Sequence, residues 1–358
     1  MATYFTPGPA QLYPTFEKHL RTFVEKQLGS VSHRSQTYRE LHAATVTQLR
    51  TLLNVPDSHA ILFLGSASEI WERILLSLVR EESFHLVNGS FSKKFYQYAE
   101  ALGRAPKKLE KTLGEGFDLS EVAIPENSEL ICVTHNETSS GVQMPVDDIH
   151  QLKKAHPEKF IAVDMVSSAP YPAFDYNLID TAFFSVQKAF GLPAGLGVWI
   201  VSHRCLERAV QLKDYYKVSI GAHNDLPTLW KNAQANETPA TPNVMLIYLL
   251  GKIAEDMNQY GVDAIRKETE EKAALIYQFA ETTDGFSPFV KHDAHRSRTV
   301  AVVDTQKPSA ELITTLKQQG MVVGSGYGER KGAQLRIANF PATSRSEIEH
   351  LVSELANI

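Results

Sequence analysis

Short apolar runs separated by amphipathic helical stretches recur through the first part of this 358-residue chain. That alternation restricts the fold more than any other feature. The run 60–64 precedes a helical pattern over 66–79, 84–87 precedes one over 91–102, and 130–133 precedes one over 146–156. Runs at 160–163 and 182–186 follow. Ahead of them lie a helix over 15–28, a break at 29–34, and a longer helix capped by Ser35. Strand-sized runs that alternate with helices predict an α/β fold with a mostly parallel central sheet flanked by helices. From about residue 243 the pattern changes. Two long helical patterns meet near Gly261, followed by an apolar run at 299–303, a helix over 310–319 and a run at 334–338. A helix over 344–357, opened by a capping box of Ser344 and Glu347, closes the chain. The expected organisation is a large domain over 15–245 and a smaller C-terminal α/β domain over 246–358.

Composition narrows the function classes. With 43% hydrophobic residues the chain can bury a sizeable core. Its formal net charge is −5 and the basic residues are scattered, so no electrostatic footprint for nucleic acid or a membrane surface is present. No apolar stretch is long enough to span a bilayer. Cys132 and Cys205 are too few for a disulfide framework, and both adjoin apolar runs, as in reducing compartments. The N-terminus enters Tyr4-Phe5-Thr6-Pro7-Gly8-Pro9-Ala10 with no signal-peptide core or Arg-rich transit pattern, so the expected location is cytoplasmic.

The run 182–186 ends in Gln187-Lys188, and a Gly/Pro turn then leads to a second apolar run at 198–201. Desolvation at such a place disfavours the ammonium and lowers the lysine pKa, which is what an imine-forming amine requires. The alternative is an amine that has reached the strand end and snorkels into water. Asp164 closes the run at 160–163, at the kind of strand end where ligands of open α/β sheets collect. A carboxylate there needs a cation or donors, and a protonated pyridine nitrogen would serve. Capping of the following segment is the other reading. Gly65-Ser66-Ala67-Ser68 joins a strand to a helix, where small residues and free N–H groups suit an anion such as phosphate; a plain N-cap explains only one of the serines. Arg336 stands among apolar neighbours and suits bidentate carboxylate binding, with a structural salt bridge as the alternative.

Asp164, Gln187-Lys188 with its Gly/Pro turn, and Gly65-Ser66-Ala67 together resemble pyridoxal-phosphate enzymes of the class V aminotransferase group, within fold type I. The resemblance covers nearly the whole chain, and within the group the phosphoserine aminotransferase family is most similar. Phe5-Thr6-Pro7-Gly8-Pro9-Ala10, Ser32-His33-Arg34-Ser35, Asn136-Glu137-Thr138 with Gly141, and Thr238-Pro239 carry this further likeness. The resemblance implies pyridoxal 5'-phosphate as cofactor, amino acids and 2-oxo acids as substrates, and a homodimer with shared active sites. Lys188 would hold the cofactor and move the substrate proton, and Asp164 would pair with the ring nitrogen. Ser66, Ala67 and Gln187 would hold the phosphate, Thr138 would touch the ring hydroxyl side, and Phe91 would stack on the ring. Thr238 would reach the phosphate of the neighbouring subunit. His33, Arg34 and Arg330 would bind the substrate phosphate and Arg336 its carboxylate. The N-terminal segment 1–14 would lie near the active site. His33 and Arg34 can also be read as a loop that merely precedes the Ser35 cap.

Three positions depart from the pattern: Ser68 stands where an arginine is usual, Glu237 where an asparagine is usual, and Glu329 where a His-Arg pair would begin. The longer spacing from Lys188 to Pro193 is more like that of alanine–glyoxylate or serine–pyruvate aminotransferases. Three further readings use the same residues. A desulfurase or β-lyase would need a mobile cysteine, a serine hydrolase would use Ser66, and a regulator would bind the cofactor without turnover. His292 and His295 have ligand-like spacing but lie in a polar segment, so no metal site is expected.

Overall fold

The structure, a computed structural model, describes residues 2–358. Seven strands form the central sheet in the order His59–Leu64, Gly197–Ser202, Thr181–Ser185, Phe160–Asp164, Leu130–Thr134, Ser83–Val87 and Lys107–Glu110. Gly197–Ser202 runs antiparallel to both of its neighbours, and every other pair is parallel. Five of these strands are the expected apolar runs or contain them, and the run at 198–201 supplies a sixth. The edge strand Lys107–Glu110 has no counterpart in the hydrophobic pattern, because its sequence is Lys-Lys-Leu-Glu and it is largely exposed. Charge on an edge strand discourages pairing with another chain.

Side chains of a strand alternate between the two faces of a sheet. Ile61, Phe63, Ile131, Val133, Ile161, Val163, Phe184, Val198 and Ile200 point to one face. That face is covered by the helices Gln36–Leu53, Val146–Ala155 and Val244–Tyr260. Leu62, Leu64, Leu130, Cys132, Ala162, Phe183, Trp199 and Val201 point to the other, covered by Ala67–Leu78, Ser90–Ala101 and His203–Val210. Both faces are dry, so these strands read as continuous apolar runs rather than alternating ones.

A second sheet runs in the order Thr3–Phe5, Met321–Ser325, Gln334–Ala338, Val300–Thr305, Phe286–Pro288. The N-terminal strand pairs with Met321–Ser325 in parallel, and the remaining pairs are antiparallel. Phe5 is buried in the same cluster as Ile276, Leu312, Val323, Ile337 and Leu351. The chain therefore starts in the C-terminal sheet, then crosses to the large one. On the way Ala10 N–H donates to the Gln187 carbonyl and Tyr13 N–H to that of Gly191. The helix Val244–Tyr260 sends Leu246, Ile247, Leu250, Ile253 and Met257 into the large-sheet core beside Leu49 and Leu52. The expected caps form: Ser35 accepts from Tyr38 N–H, and Ser344 and Glu347 make the capping box. Among the described residues no helix is long and apolar enough to cross a membrane.

Candidate active site

Three adjacent parallel strands end with Thr134, Asp164 and Ser185. Counting back by twos from each gives Cys132, Ala162 and Phe183, which all lie on the face under the helix Ala67–Leu78. Strand periodicity therefore turns all three polar ends to that face. They line one cavity of about 160 Å³ together with Ser66, Ala67, Ser68, Trp71, Phe91, Asn136, Thr138, Val166, Gln187 and Lys188.

Asp164 is 3% exposed and accepts from Trp71 Nε1–H at 3.1 Å and Val166 N–H at 3.0 Å. Burial outweighs these two neutral donors and pushes its pKa up to about 7. Lys188 is also buried, and its Nζ donates to the Pro7 carbonyl. Desolvation lowers its pKa to about 8, with the Arg336 guanidinium pushing the same way and Asp164 and Glu137 opposing. The backbone of Gly8, at φ +128°, lies against this side chain: a Cβ there would stand 2.5 Å from Nζ. Only glycine tolerates both that φ and that approach.

Ser66 is the N-cap of the helix Ala67–Leu78, its hydroxyl accepting from Glu69 N–H at 3.1 Å. The capping reading is therefore realised at this residue. Ala67 N–H points to Ser185 Oγ at 3.3 Å. Gly197 lets the turn sit close to the sheet, since a Cβ at this position would lie 2.6 Å from the Ser66 carbonyl carbon. Phe91 opens the helix Ser90–Ala101, and its ring centroid is 6.0 Å from Lys188 Nζ. That helix end is held by Glu137, which is fully buried. The Glu137 carboxylate accepts from Phe91 N–H (3.1 Å), Ser92 N–H (2.8 Å), Ser92 Oγ (2.9 Å), Ser139 N–H (3.1 Å) and Ser139 Oγ (2.7 Å). Arg336, half-buried, donates from Nε to the Ser325 carbonyl at 2.8 Å and from Nη1 to the Thr138 carbonyl at 3.3 Å.

Lys188, Asp164, Ser66, Ala67, Phe91, Thr138 and Gln187 are therefore brought together, with Arg336 beside Thr138. The other expected residues are not in this cavity. Thr238 bonds the Ala240 carbonyl at 2.8 Å and lines a neighbouring cavity with Gly65 and Glu69. His33 lies 3.4 Å from Thr241 Oγ1. Arg34 pairs with Glu237 and donates to Asn232 Oδ1 at 3.3 Å and the Pro239 carbonyl at 3.2 Å. Arg39 holds the other Glu237 oxygen at 2.6 Å. Arg330 is exposed, with its guanidinium 5.4 Å from the Phe289 ring centroid.

Trp71, Ser185, Glu137 and the Pro7–Gly8 backbone belong to the site although the sequence reading gave them no role. Trp71 had a usable signal, lying one helical turn beyond Ala67. Glu137 stood in the Asn136-Glu137-Thr138 motif, but its partners at Phe91 and Ser92 are brought near only by the fold.

Pyridoxal phosphate fits these residues. The cavity supplies an aromatic face, a buried acid without a cationic hydrogen-bond partner, a depressed amine, and a helix N-terminus of small residues. The Gln187 side chain and Asn136 Oδ1 line it, and each has a buried oxygen without a hydrogen-bond partner among the described residues. The thiols do not compete for the chemistry. Burial pushes Cys205 up to about 12 and raises Cys132 as well, away from a reactive thiolate.

The aminotransferase class-V model matches residues 3–345. A phosphoserine aminotransferase of Rhodococcus opacus is 28% identical over 357 residues, spanning 98% of this chain and 93% of that one. The crystal structure of a phosphoserine aminotransferase from Cytophaga hutchinsonii is similar at a TM-score of 0.98 and 47% identity, covering 99% of this chain and 98% of that one. An alanine–glyoxylate aminotransferase from Nostoc sp. shares the fold at a TM-score of 0.83 and 20% identity, over 99% and 94% of the two chains. With its fold type I architecture and a cavity suited to the cofactor, the chain belongs to the class V aminotransferase family of pyridoxal-phosphate-dependent enzymes.

Proposed function

We propose that this transaminase exchanges the amino group between phosphoserine and 3-phosphohydroxypyruvate, with glutamate and 2-oxoglutarate as the other pair, as in serine biosynthesis. The observation that carries the reading is the pairing of a buried, depressed amine with a buried acid in one cavity floored by a helix N-terminus. The relatives from Rhodococcus opacus and Cytophaga hutchinsonii that bear the phosphoserine aminotransferase name support the substrate class.

When bound, pyridoxal phosphate supplies the electron sink for charge developing at the substrate α-carbon. Lys188 would hold the cofactor through Nζ, and that amine, once free, would move the proton at the substrate α-carbon. The Pro7 carbonyl orients that amine. Asp164 would serve the ring nitrogen, and its carboxylate is oriented by Trp71 Nε1–H and Val166 N–H. Ser66, Ala67 and Gln187 would hold the cofactor phosphate, with Phe91 and Thr138 as its further lining. Arg336 has donors left for the α-carboxylate. His33, Arg34 and Thr238 serve the site of a second copy, which makes the enzyme a homodimer. Their gathering around the segment 237–241, outside the Lys188 cavity, supports that arrangement. The proposed location is cytoplasmic, consistent with the free thiols of Cys132 and Cys205.

A second reading, a serine–pyruvate or alanine–glyoxylate type of transaminase, is favoured by one observation: Arg34 is occupied by Glu237, and Arg330 rests on Phe289. Spectra of the holoenzyme mixed with phosphoserine, serine, alanine or glutamate separate the two. Conversion by phosphoserine is expected; failure with phosphoserine and success with serine or alanine transfers the assignment. Borohydride should trap the cofactor on Lys188. A Lys188→Ala variant that kept full transaminase turnover would overturn the role of that amine.

A further inference from the structure

Two side chains beside Phe91 take no part in the roles above. Lys94 lies one helical turn beyond Phe91, on the same face of the helix Ser90–Ala101. Its Nζ is 5.4 Å from the Phe91 ring centroid and 3.4 Å from the Tyr327 hydroxyl, and it has no carboxylate partner among the described residues. Tyr327 comes from the other sheet, on the loop between Met321–Ser325 and Gln334–Ala338. Its ring is 5.6 Å from that of Phe91, and the Arg336 guanidinium is 5.2 Å from its centroid. One tyrosine thus has the proposed α-carboxylate guanidinium near its ring and a free ammonium at its hydroxyl, while Phe91 connects both to Lys188. Within this chain Arg34 pairs with Glu237 and Arg330 lies against Phe289, both outside this cavity.

We propose that Lys94 and Tyr327 form a distal anion subsite, which binds the acidic end of the amino-acid substrate while Arg336 holds its α-carboxylate. The ligand class is an α-amino acid whose side chain ends in a phosphate monoester or a carboxylate. An ammonium on a flexible stem and a phenol O–H both donate to such an anion and neither requires one fixed geometry. The subsite rests on the transaminase reading above and names which side chains set its substrate class. Lys94 and Tyr327 are specificity-determining residues here, with no part in the proton transfer.

The test uses the holoenzyme of the parent, Lys94→Met, Lys94→Arg and Tyr327→Phe. Half-reaction kcat/KM is measured for phosphoserine, glutamate and alanine at low and high salt. Lys94→Met should lower the ratio of acidic to neutral substrate by about tenfold, the scale of one charge-assisted hydrogen bond. Lys94→Arg should restore most of the ratio, and Tyr327→Phe should lower it less. Added salt should reduce the ratio in the parent but not in Lys94→Met, because exposed charges are screened. A loss with glutamate in an enzyme that does not use phosphoserine keeps the subsite and removes the phosphoserine assignment. If both acidic amino acids react and Lys94→Met keeps the parent's ratio, the subsite is overturned and the assignment stands.

Discussion

Gly197 is the position at which one added methyl group should most directly disturb cofactor binding. It pairs with Leu64, which leads into the Gly65–Ser68 turn proposed to hold the cofactor phosphate, and with Ser185, whose hydroxyl meets Ala67 N–H. An alanine Cβ would stand 2.6 Å from the Ser66 carbonyl carbon, 2.7 Å from its oxygen and 3.0 Å from Ala67 N. Carbon atoms pack at about 3.5 Å, so the turn must retreat by something on the order of 0.9 Å. The obstacle is backbone on both sides, which no rotamer change relieves. Overpacking of this kind costs about 1–3 kcal/mol. Displacing the Ser66–Ala67 amides places that cost on cofactor binding, so Gly197→Ala should raise the cofactor dissociation constant about 10- to 100-fold, at ~1.4 kcal/mol per factor of ten. The assay is titration of apoenzyme with pyridoxal phosphate, followed by the visible absorption of the bound form. Gly332→Ala is the matched control, since nothing lies within 4 Å of the Cβ it would add. A Gly197→Ala enzyme that titrates like the parent and keeps its half-reaction rates would refute the reasoning.

Glu137→Ala should destabilise the protein by roughly 3 kcal/mol or more, since it strands several buried donors at about 1–3 kcal/mol each. It should also free Phe91, seen as altered circular dichroism of the bound cofactor; an unchanged melting temperature would contradict this. The apoenzyme should show a two-sided pH dependence. Asp164 has its folded pKa raised from 3.8 to about 7, so between those values the folded state binds the extra proton and stability falls as pH rises. The drop is on the order of 4 kcal/mol at its upper limit. Lys188 is lowered from 10.5 to about 8, so stability climbs again between pH 8 and 10.5, where the unfolded chain holds the proton. Chemical denaturation of apo Asp164→Asn should lose the falling limb and apo Lys188→Met the rising one; a parent curve flat from pH 4 to 10 would show that neither group is perturbed.

The candidate residues at the ends of strands were readable from the sequence. Lys188 and Asp164 each close an apolar run, and a charged group that ends a buried strand must lie at the rim of a sheet. The helix N-terminus at Ser66 was legible for the same reason, since its signal is local. The edge strand Lys107–Glu110 was not, because an exposed polar strand carries no hydrophobic period. Nor was the N-terminal strand, whose partner Met321–Ser325 lies at the far end of the chain.

What the sequence determined by itself was the alternation that sets a parallel sheet, and with it which charged groups must sit at strand ends. Only the tertiary structure decided which residues converge there from distant segments: Trp71 on Asp164, Pro7 on Lys188, Glu137 on the amides of Phe91 and Ser92, and Tyr327 between Phe91 and Arg336. It also decided that Arg34 faces Glu237 and Arg330 faces Phe289. The physical reason is range. Periodicity and capping act over one or two turns of chain, whereas a guanidinium binds whichever carboxylate, carbonyl or ring the packed fold brings within a few ångströms.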